Sequence, residues 1–398
     1  MLLTFFNIIL GFAFDYMHGI LLGVSRQLTT LWFDSKYHGE RWYLGREIIT
    51  IDKLLLQINT PVNITRPPRS VRLRKYWKAS EYRNFLLFYS LPCLSGILSC
   101  DYLEHLLLLV QATYLLLKDD MSSHDIDVAE YLLKTFVSRF ERLYGKCHAS
   151  FNVHILQHAA QSVRNWGPLW CQSAFIFESH NGNLQKLFHG TQAVTEQIAN
   201  SFSLFQSIPR LLSTVYDKSV KKTSTDFVDR MLRGYRLATN CVKKTNIIFL
   251  GLPTVRMPTP REAFLFREQG IDVHQCAFYS RAIINGNRIH SKTSTTLSRR
   301  INRAVVTEQG TMALVRSFVD VGFDKGFAFI DPVITAKFNM VKDRQTGTAF
   351  SGIVRENYIS TDVKLINCNE IRTTCVYLKD VELVQNLLCI QPNKWEVD

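Results

Sequence analysis

Asp15 and His18 are three residues apart, so one helical turn would place the carboxylate and the imidazole on the same face. Such a pair can bind a metal ion, because both side chains are common metal ligands. A local hydrogen bond between the two side chains is the alternative, since spacing alone does not separate these roles. The pair is the first candidate for a functional site.

Glu178 is the second candidate. It follows an apolar run from Ser173 to Phe177, which we interpret as a strand, and it precedes Asn181 and Gly182. A carboxylate at the end of such a run either caps the following helix or projects into a site. We treat Glu178 as a candidate catalytic residue and metal ligand.

His154 and His158 have the i, i+4 spacing of one helix face, and Cys147 and His148 lie just upstream. Two histidines are half of a structural zinc site, which needs four ligands. No CxxC motif completes it, and the nine cysteines show no regular spacing, which favours a reducing compartment over a disulfide framework. Histidines satisfied within the protein are the alternative to a weakly indicated zinc site.

Two segments are rich in basic residues. The first contains Arg66, Arg69, Arg72, Arg74, Lys75 and Lys78, interleaved with Tyr76 and Trp77. The second extends from Arg210 to Lys244 and includes Lys221 and Lys222. With 47 Lys and Arg against 34 Asp and Glu, the net charge is +13, which predicts DNA or RNA as a partner. Solvated faces are the alternative for both segments.

The composition is that of a folded protein. Of 398 residues, 46% are hydrophobic and 20% are charged, which excludes a disordered or fibrous chain and predicts two or three structural units. The sequence contains no P-loop, GxSxG, HExxH or GxGxxG motif, so it gives no support to the enzyme classes that use them.

The apolar stretch from Leu2 to Val24 has two interpretations. A membrane anchor would carry Asp15 at mid-span, at a cost of about 2.5 to 3.5 kcal/mol, and no Lys or Arg precedes Arg26 to form a signal-peptide n-region. We therefore expect a buried strand over 2–14 followed by a helix to Trp32. A membrane or secreted protein with an N-terminal signal is the lesser alternative.

Apolar periodicity and capping residues predict the remaining elements. Helices are expected over 51–58, 80–97 with a break at Pro92, 101–118, 123–145, 151–164, 184–204 and 226–237. The segment Ile283 to Ile289, with Asn285-Gly286 at its centre, predicts a hairpin, and the β-branched runs 304–321 and 327–337 predict further strands. Residues 277–398 are therefore expected to fold independently as a small β domain.

Several short motifs follow one another in a particular order. They are Asp15-Tyr16-Met17-His18 with Leu22-Gly23-Val24, Tyr76-Trp77-Lys78-Ala79-Ser80-Glu81, Asn152-Val153-His154, Gly167-Pro168, Ser173-Ala174-Phe175 with Phe177-Glu178, and His189-Gly190. In this order they resemble the transposases of the CACTA (En/Spm-like) group of cut-and-paste DNA elements, animal type. The resemblance covers about residues 14–197, and residues 285–300 also look like the C-terminal part of such proteins.

The resemblance implies an RNase H-like catalytic core split by a large all-helical insertion, in which three acidic residues hold two Mg²⁺ or Mn²⁺ ions for DNA strand cleavage and transfer. Glu178 matches the last of these acids, and Asp15 with His18 matches a D-x-x-H signature that follows the second. The first two acids would precede Met1. The resemblance thus implies an N-terminally truncated, catalytically incomplete chain, because one glutamate cannot hold two ions.

Together these expectations give an α+β chain with five segments. They are a partial core segment of strand plus helix (1–32), the helical insertion (33–165), a core segment carrying the last acid (166–205), a basic linker with one helix (206–276) and the C-terminal β domain (277–398). A nuclear, DNA-binding homo-oligomer is the implied setting, without a membrane. A non-catalytic DNA-binding or scaffolding remnant of a transposable element is the alternative function.

Overall fold

The first half of the chain folds into helices and the second half into antiparallel strands, so the α+β class is confirmed. The computed structural model describes residues 11–215, 240–272, 274–294, 300, 302–322, 325–337, 341–379, 386–393 and 396. Outside the described residues lie most of the strand expected at 2–14, the helix expected at 226–237, and Lys221 and Lys222. The chain divides into two compact units, Met1–Ser173 with Asn240–Asp398, and Ala174–Thr239.

The helices are numbered here in chain order. Those within the described residues are α1 (Arg26–Phe33), α2 (Ile48–Leu56), α3 (Ala79–Asn84), α4 (Ser90–Leu94), α5 (Cys100–Leu116), α6 (Ser123–Tyr144), α7 (Phe151–Ile155), α8 (Ala159–Trp166), α9 (Phe175–Leu184), α10 (Val194–Val215) and α11 (Pro260–Glu268). Two π-helical segments, Met17–Ser25 and Phe85–Tyr89, lead directly into α1 and α4. None of these helices is long and apolar enough to cross a membrane.

The strands follow after α10. Those within the described residues are β1 (Cys241–Lys243), β2 (Ile247–Leu250), β3 (Thr254–Arg256), β4 (Cys276–Tyr279), β5 (Arg281–Ile284), β6 (Asn287–His290), β7 (Ala304–Thr307), β8 (Met312–Asp320), β9 (Gly326–Lys337), β10 (Ile353–Ile359), β11 (Lys364–Asn367), β12 (Ile371–Thr374), β13 (Val376–Leu378) and β14 (Leu387–Cys389). They form a smaller sheet in the order β1-β2-β5-β6 and a larger one in the order β12-β7-β8-β9-β10-β14-β13. On the larger sheet β11 pairs with β9, and β4 joins β3 to β8.

Capping residues place the ends of helix α6 where the sequence predicts them. The Ser122 hydroxyl accepts the backbone N–H of Asp125 at 3.1 Å, and the Asp125 carboxylate accepts the Ser122 N–H at 3.0 Å. At the other end Gly145 takes a φ of 86°, a left-handed value that favours glycine and stops the helix. The expected helices near α2, α5 and the α7–α8 region are likewise confirmed.

Pro92 does not break its helix where the sequence predicts a break. The helical path continues from α3 through the π-helical segment to the end of α4 at Leu94, two residues beyond the proline. Because Pro92 has no N–H, it cannot bond the carbonyl of Phe88, and the thiol of Cys389 in β14 lies 3.8 Å from that oxygen as its donor. The proline thus marks a contact between the helices and the sheet.

The prediction of a strand over Ser173 to Phe177 is wrong. Residues from Phe175 onward form α9, so Glu178 lies in the first helical turn and not at the end of a strand. A short apolar run has no periodicity that distinguishes a strand from a helix. The helix expected over 184–204 is also displaced, since α9 ends at Leu184 and α10 begins at Val194.

The boundary expected at residue 277 lies inside the β region. Strands β1 to β3 precede it and β4 contains it, and β2 pairs with β5 in register from Ile247 opposite Ile284. The segment expected to be a basic linker therefore supplies strands of both sheets. The hairpin at Asn285-Gly286 is confirmed, with φ values of 49° and 78° at the two turn residues, as a type I′ turn requires.

The β region packs directly on the helices and forms one compact unit with them. The ring of Tyr114 on α5 meets Phe350 edge-on at 5.3 Å, and the amide of Gln111 exchanges hydrogen bonds with Ser351. Apolar and polar contacts of this kind join both regions in one compact unit. Stability of either region is therefore expected to depend on the other.

A buried ion pair lies at this junction. Arg139 on α6 donates to both carboxylate oxygens of Asp343, at 2.5 and 3.2 Å, and Asp343 is fully buried. Thr346 adds two further donors from its N–H and hydroxyl. Burial opposes ionisation of Asp343, but the hydrogen bonds from Arg139 and Thr346 prevail and lower its pKa to about 2.

His105 occupies the centre of the helical core. Its ring stacks on Phe136 at 4.0 Å, and its Nε2 lies 2.9 Å from the carbonyl of the same residue. Burial lowers the pKa of His105 to about 3, because the charged imidazolium would have to leave water. The histidine is therefore neutral in the folded chain.

Replacing Asp343 by asparagine should lower the free energy of unfolding by about 3 kcal/mol, because the Arg139 guanidinium then stays buried without its counter-charge. Urea unfolding followed by circular dichroism measures this change. The double variant Arg139→Met/Asp343→Asn should recover much of the loss, since no buried charge remains. Equal losses in the single and double variants would show that the charge is not the cause.

Acid should destabilise the fold through His105. The unfolded histidine takes up a proton near its ordinary pKa of 6.5, whereas the folded one does so only near 3, so stability falls as pH drops below 6.5. The two pH units between 6.5 and 4.5 correspond to a loss of about 2.7 kcal/mol in the free energy of unfolding. His105→Gln keeps a donor but cannot titrate, so its unfolding midpoint should depend less on pH between 6.5 and 4.5. Parallel pH profiles for the two proteins would contradict this assignment.

Candidate nucleic-acid interface

The first basic segment forms a loop that enters helix α3 through a short 3₁₀ helix, Val71–Tyr76. A 3₁₀ helix has three residues per turn, so residues three apart share a face. Val71, Arg74 and the following Trp77 are buried, and this face points inward. The remaining residues of the turn therefore face solvent.

The solvent face of the loop carries two parallel rows of side chains. Arg72 and Lys75, three residues apart, are exposed on one edge, and Leu73 and Tyr76 are exposed on the other, with 73% of Tyr76 accessible. Lys78 continues the exposed cationic row. We call Arg72, Lys75 and Lys78 the basic ridge; among the described residues, none of the three forms an ion pair.

Two arginines of the segment face away from the ridge and hold the loop in place. Arg69 forms a forked pair with Glu81, at 2.5 and 2.7 Å, and also donates to the carbonyl of Tyr76 at 2.9 Å. Arg74 is buried, and its guanidinium lies 3.9 Å from Asp34. The expectation that Arg69 and Arg74 bind DNA is therefore revised: both position the loop. Arg66, like the ridge, is exposed.

Glu81 has a second function at the start of α3. Its Oε2 accepts the backbone N–H of Lys78 at 2.8 Å, which satisfies one of the free donors at the helix end. The side chain is only 7% exposed. The Trp-Lys-Ala-Ser-Glu motif of the sequence thus links the cap of α3 to the conformation of the ridge.

Asp52 on α2 anchors the other end of the loop. Its carboxylate accepts the hydroxyl of Ser70 at 2.5 Å and the backbone N–H of Val71 at 2.8 Å. On the far side the hydroxyl of Tyr82 donates to the carbonyl of Arg74 at 2.7 Å. Asp52 and Glu81 were not identified from the sequence, although the position of Glu81 three residues into a helix is a recognisable capping signal.

The Asp15 carboxylate is engaged by local donors. One oxygen accepts the backbone N–H of Met17 at 3.1 Å, and the other is hydrogen-bonded to Nδ1 of His18. This is the local hydrogen bond that the spacing left open as an alternative. In the part of the chain that the structure describes, no three His, Cys, Asp or Glu side chains are grouped to bind a metal ion.

Several family-like motifs meet in space around this turn. The N–H of Phe14 donates to the hydroxyl of Ser162 at 2.8 Å, and Ser162 donates to Gln172 at 2.5 Å. Gly23 lies so close to Asn152 that an added Cβ would be 2.9 Å from its side chain. The D-x-x-H and N-V-H segments therefore pack together, and glycine at 23 is required by this close approach.

The other candidate ligands are exposed. The rings of His154 and His158 are 5.7 Å apart on the surface. Glu178 is exposed on α9 and belongs to the second compact unit, whereas Asp15 and His18 belong to the first. Zinc at the histidines and Mg²⁺ or Mn²⁺ at Glu178 stay predictions.

Comparison with known proteins identifies no relative. No protein-family model matches the chain, and neither the curated proteins nor the solved structures give a match. The class that fold and site define is an α+β protein with a rigidly held, solvent-facing basic ridge. The resemblance to CACTA transposases stays a prediction from the sequence motifs.

Glu81→Gln should loosen the loop. Glutamine cannot form the charged fork with Arg69, so we expect a loss of about 1–2 kcal/mol of stability and faster tryptic cleavage within residues 66–78. Glu130→Gln is the matched control, because Glu130 on α6 pairs with Lys134 and with Arg164 of α8 at the surface, where such pairs stabilise little. Unchanged cleavage in Glu81→Gln would refute its anchoring role.

Proposed function

We propose that this protein binds duplex DNA through the phosphate backbone, using the basic ridge, as a nuclear protein related to CACTA-type transposases. The observation that carries the proposal is the ridge itself: Arg72, Lys75 and Lys78 are exposed, while Arg69 and Arg74 are held by carboxylates. The RNase H-like core that the resemblance implies belongs to the same proposal.

The electrostatics favour a polyanion. Exposed cations lose little hydration when they approach a phosphate, and each contact releases condensed counterions from the duplex. The net charge of +13 supplies a long-range attraction in addition to the local contacts. Contacts to the phosphate backbone do not distinguish one base sequence from another, so we expect little sequence preference.

The anchors of the loop make the ridge a suitable binding surface. Asp52 holds its beginning and Glu81 its end, so the cations project from backbone that is already ordered. Binding then requires less loss of conformational freedom than a flexible basic tail would. Exposed Tyr76 beside the row offers an apolar and hydrogen-bonding contact to sugar or phosphate.

The proposal covers DNA binding and not strand cleavage. Two-metal cleavage needs carboxylates from different elements that converge on two ions. Both carboxylate oxygens of Asp15 are instead hydrogen-bonded locally, to the N–H of Met17 and to His18. The ridge, by contrast, needs no further group to bind phosphate.

The triple variant Arg72→Gln/Lys75→Gln/Lys78→Gln should weaken DNA binding and flatten its salt dependence. Removing three phosphate contacts should reduce the slope of log K against log salt by about 3, measured by fluorescence anisotropy on a labelled duplex. The control Lys134→Gln/Arg142→Gln/Lys146→Gln removes the same charge from two exposed positions of α6 and from Lys146, two residues beyond its end. Equal slopes for the two triple variants would show that only net charge matters.

A further inference from the structure

A second cationic surface lies on the larger sheet, away from the basic ridge. Two adjoining depressions open over β8, and both are lined by Lys292 and Arg316. Arg303 lines one of them, and hydroxyls surround both, from Ser280, Thr293, Ser317, Ser360 and Thr361. We call the depressions together the sheet groove.

Arg316 is placed in the groove by an irregularity in β8. The pairing of β8 with β9 shifts between Val315 and Ser317, so Arg316 is the extra residue of a β-bulge and its exposed side chain is turned outward. Its Nε donates to Asp331 at 2.6 Å. Among the described residues this is the one hydrogen bond of the Arg316 side chain, so its terminal nitrogens have donors to spare.

The backbone of Val315 brings the other two cations to the same bulge. The carbonyl of Val315 accepts the N–H of Lys292 at 2.9 Å, and its N–H donates to the carbonyl of Arg303 at 2.8 Å. Nε of Arg303 is shielded from solvent and has no hydrogen-bond partner in the described part of the chain. The bulge thus gathers Lys292, Arg303 and Arg316 around one depression of the sheet.

Carboxylates neutralise only part of this surface. Asp331 pairs with Arg316, and Glu262 pairs with Arg256 at 2.7 Å on the far wall of the groove. Lys292 and Arg303 form no ion pair with the described residues, which leaves two positive charges in excess. The groove thus attracts an anion while its shape is fixed by the sheet.

Side chains next to the groove are hydrogen-bonded to the segment that leads into the loop bearing the ridge. Asn302 accepts the N–H of Val62 at 2.6 Å, and Arg300 donates to the carbonyls of Val62 and Ile64 at 3.1 and 3.0 Å. The chain that leads into the ridge is therefore bound beside the start of β7, next to Arg303.

We propose that the sheet groove is a phosphate-binding site for successive phosphodiester groups of a nucleic-acid strand. Lys292, Arg303 and Arg316 are the residues that bind the phosphates. The proposal rests on DNA binding by this protein and adds a second contact site to it. Two adjoining depressions that share two cations suit a repeating anion better than a single small one. The hydroxyls around them are donors to phosphate and sugar oxygens.

The test is the double variant Lys292→Gln/Arg303→Gln of the full chain, assayed by anisotropy on the same duplex. We expect the salt slope to fall by about 2 and the affinity at about 0.1 M salt to fall at least about 10-fold. The control Arg142→Gln/Lys146→Gln removes equal charge and should leave both values near wild type. Arg316→Lys keeps the charge, so it should weaken binding a few-fold without changing the slope, because only the guanidinium fork is lost.

The outcomes separate this proposal from the function on which it rests. A normal salt slope in the double groove variant, together with a reduced slope in the triple ridge variant, overturns the groove as a phosphate-binding site. That result leaves DNA binding by the ridge supported. A reduced salt slope in the groove variant, together with a normal slope in the ridge variant, supports the groove as a binding site and overturns the ridge as one. If pyrophosphate raises the melting temperature of the wild type but not of the groove variant, while DNA binding is equal in both, the ligand is a small phosphate compound and the nucleic-acid assignment is overturned.

Discussion

Helix α5 is buried around almost its whole circumference, and both α6 and the β region pack against it. A helix that is apolar on every side cannot face water on any of them. One side is covered by α6, through the stack of His105 on Phe136 and the bond from Tyr102 to the carbonyl of Leu143. The other side is covered by the β region, through Tyr114 and Phe350.

This constraint explains why the helices and the sheets belong to one compact unit. The ion pair of Arg139 with Asp343 lies at the junction, where each charge is buried and depends on the other. A buried pair stabilises less than apolar packing of the same volume, but it is costly to separate. It therefore favours one docking geometry, since a shifted β region would leave both charges unpaired.

Local structure could be predicted from the sequence wherever a capping residue marks the end of a helix or a turn residue marks the centre of a hairpin. Ser122 and Asp125 define the start of α6, and Asn285-Gly286 defines its hairpin. The run before Glu178 has no such residue, and it folded as a helix instead of the expected strand. Short edge strands such as β1 and β3 also escape prediction, because pairing with distant strands decides them.

The basic residues show the same limit at the level of function. Charge density identified the segment from Arg66 to Lys78, but it could not tell the exposed cations from those that Glu81 and Asp34 hold. That distinction depends on carboxylates that are distant in sequence or hidden in a helix cap. Lys292 and Arg303 are harder still to identify, because hydrogen bonds to the backbone of Val315, next to the bulge at Arg316, bring them together. Strand pairing decides which residues share such a surface, and a count of charges along the chain contains no information on strand pairing. The groove could therefore be identified only from the fold.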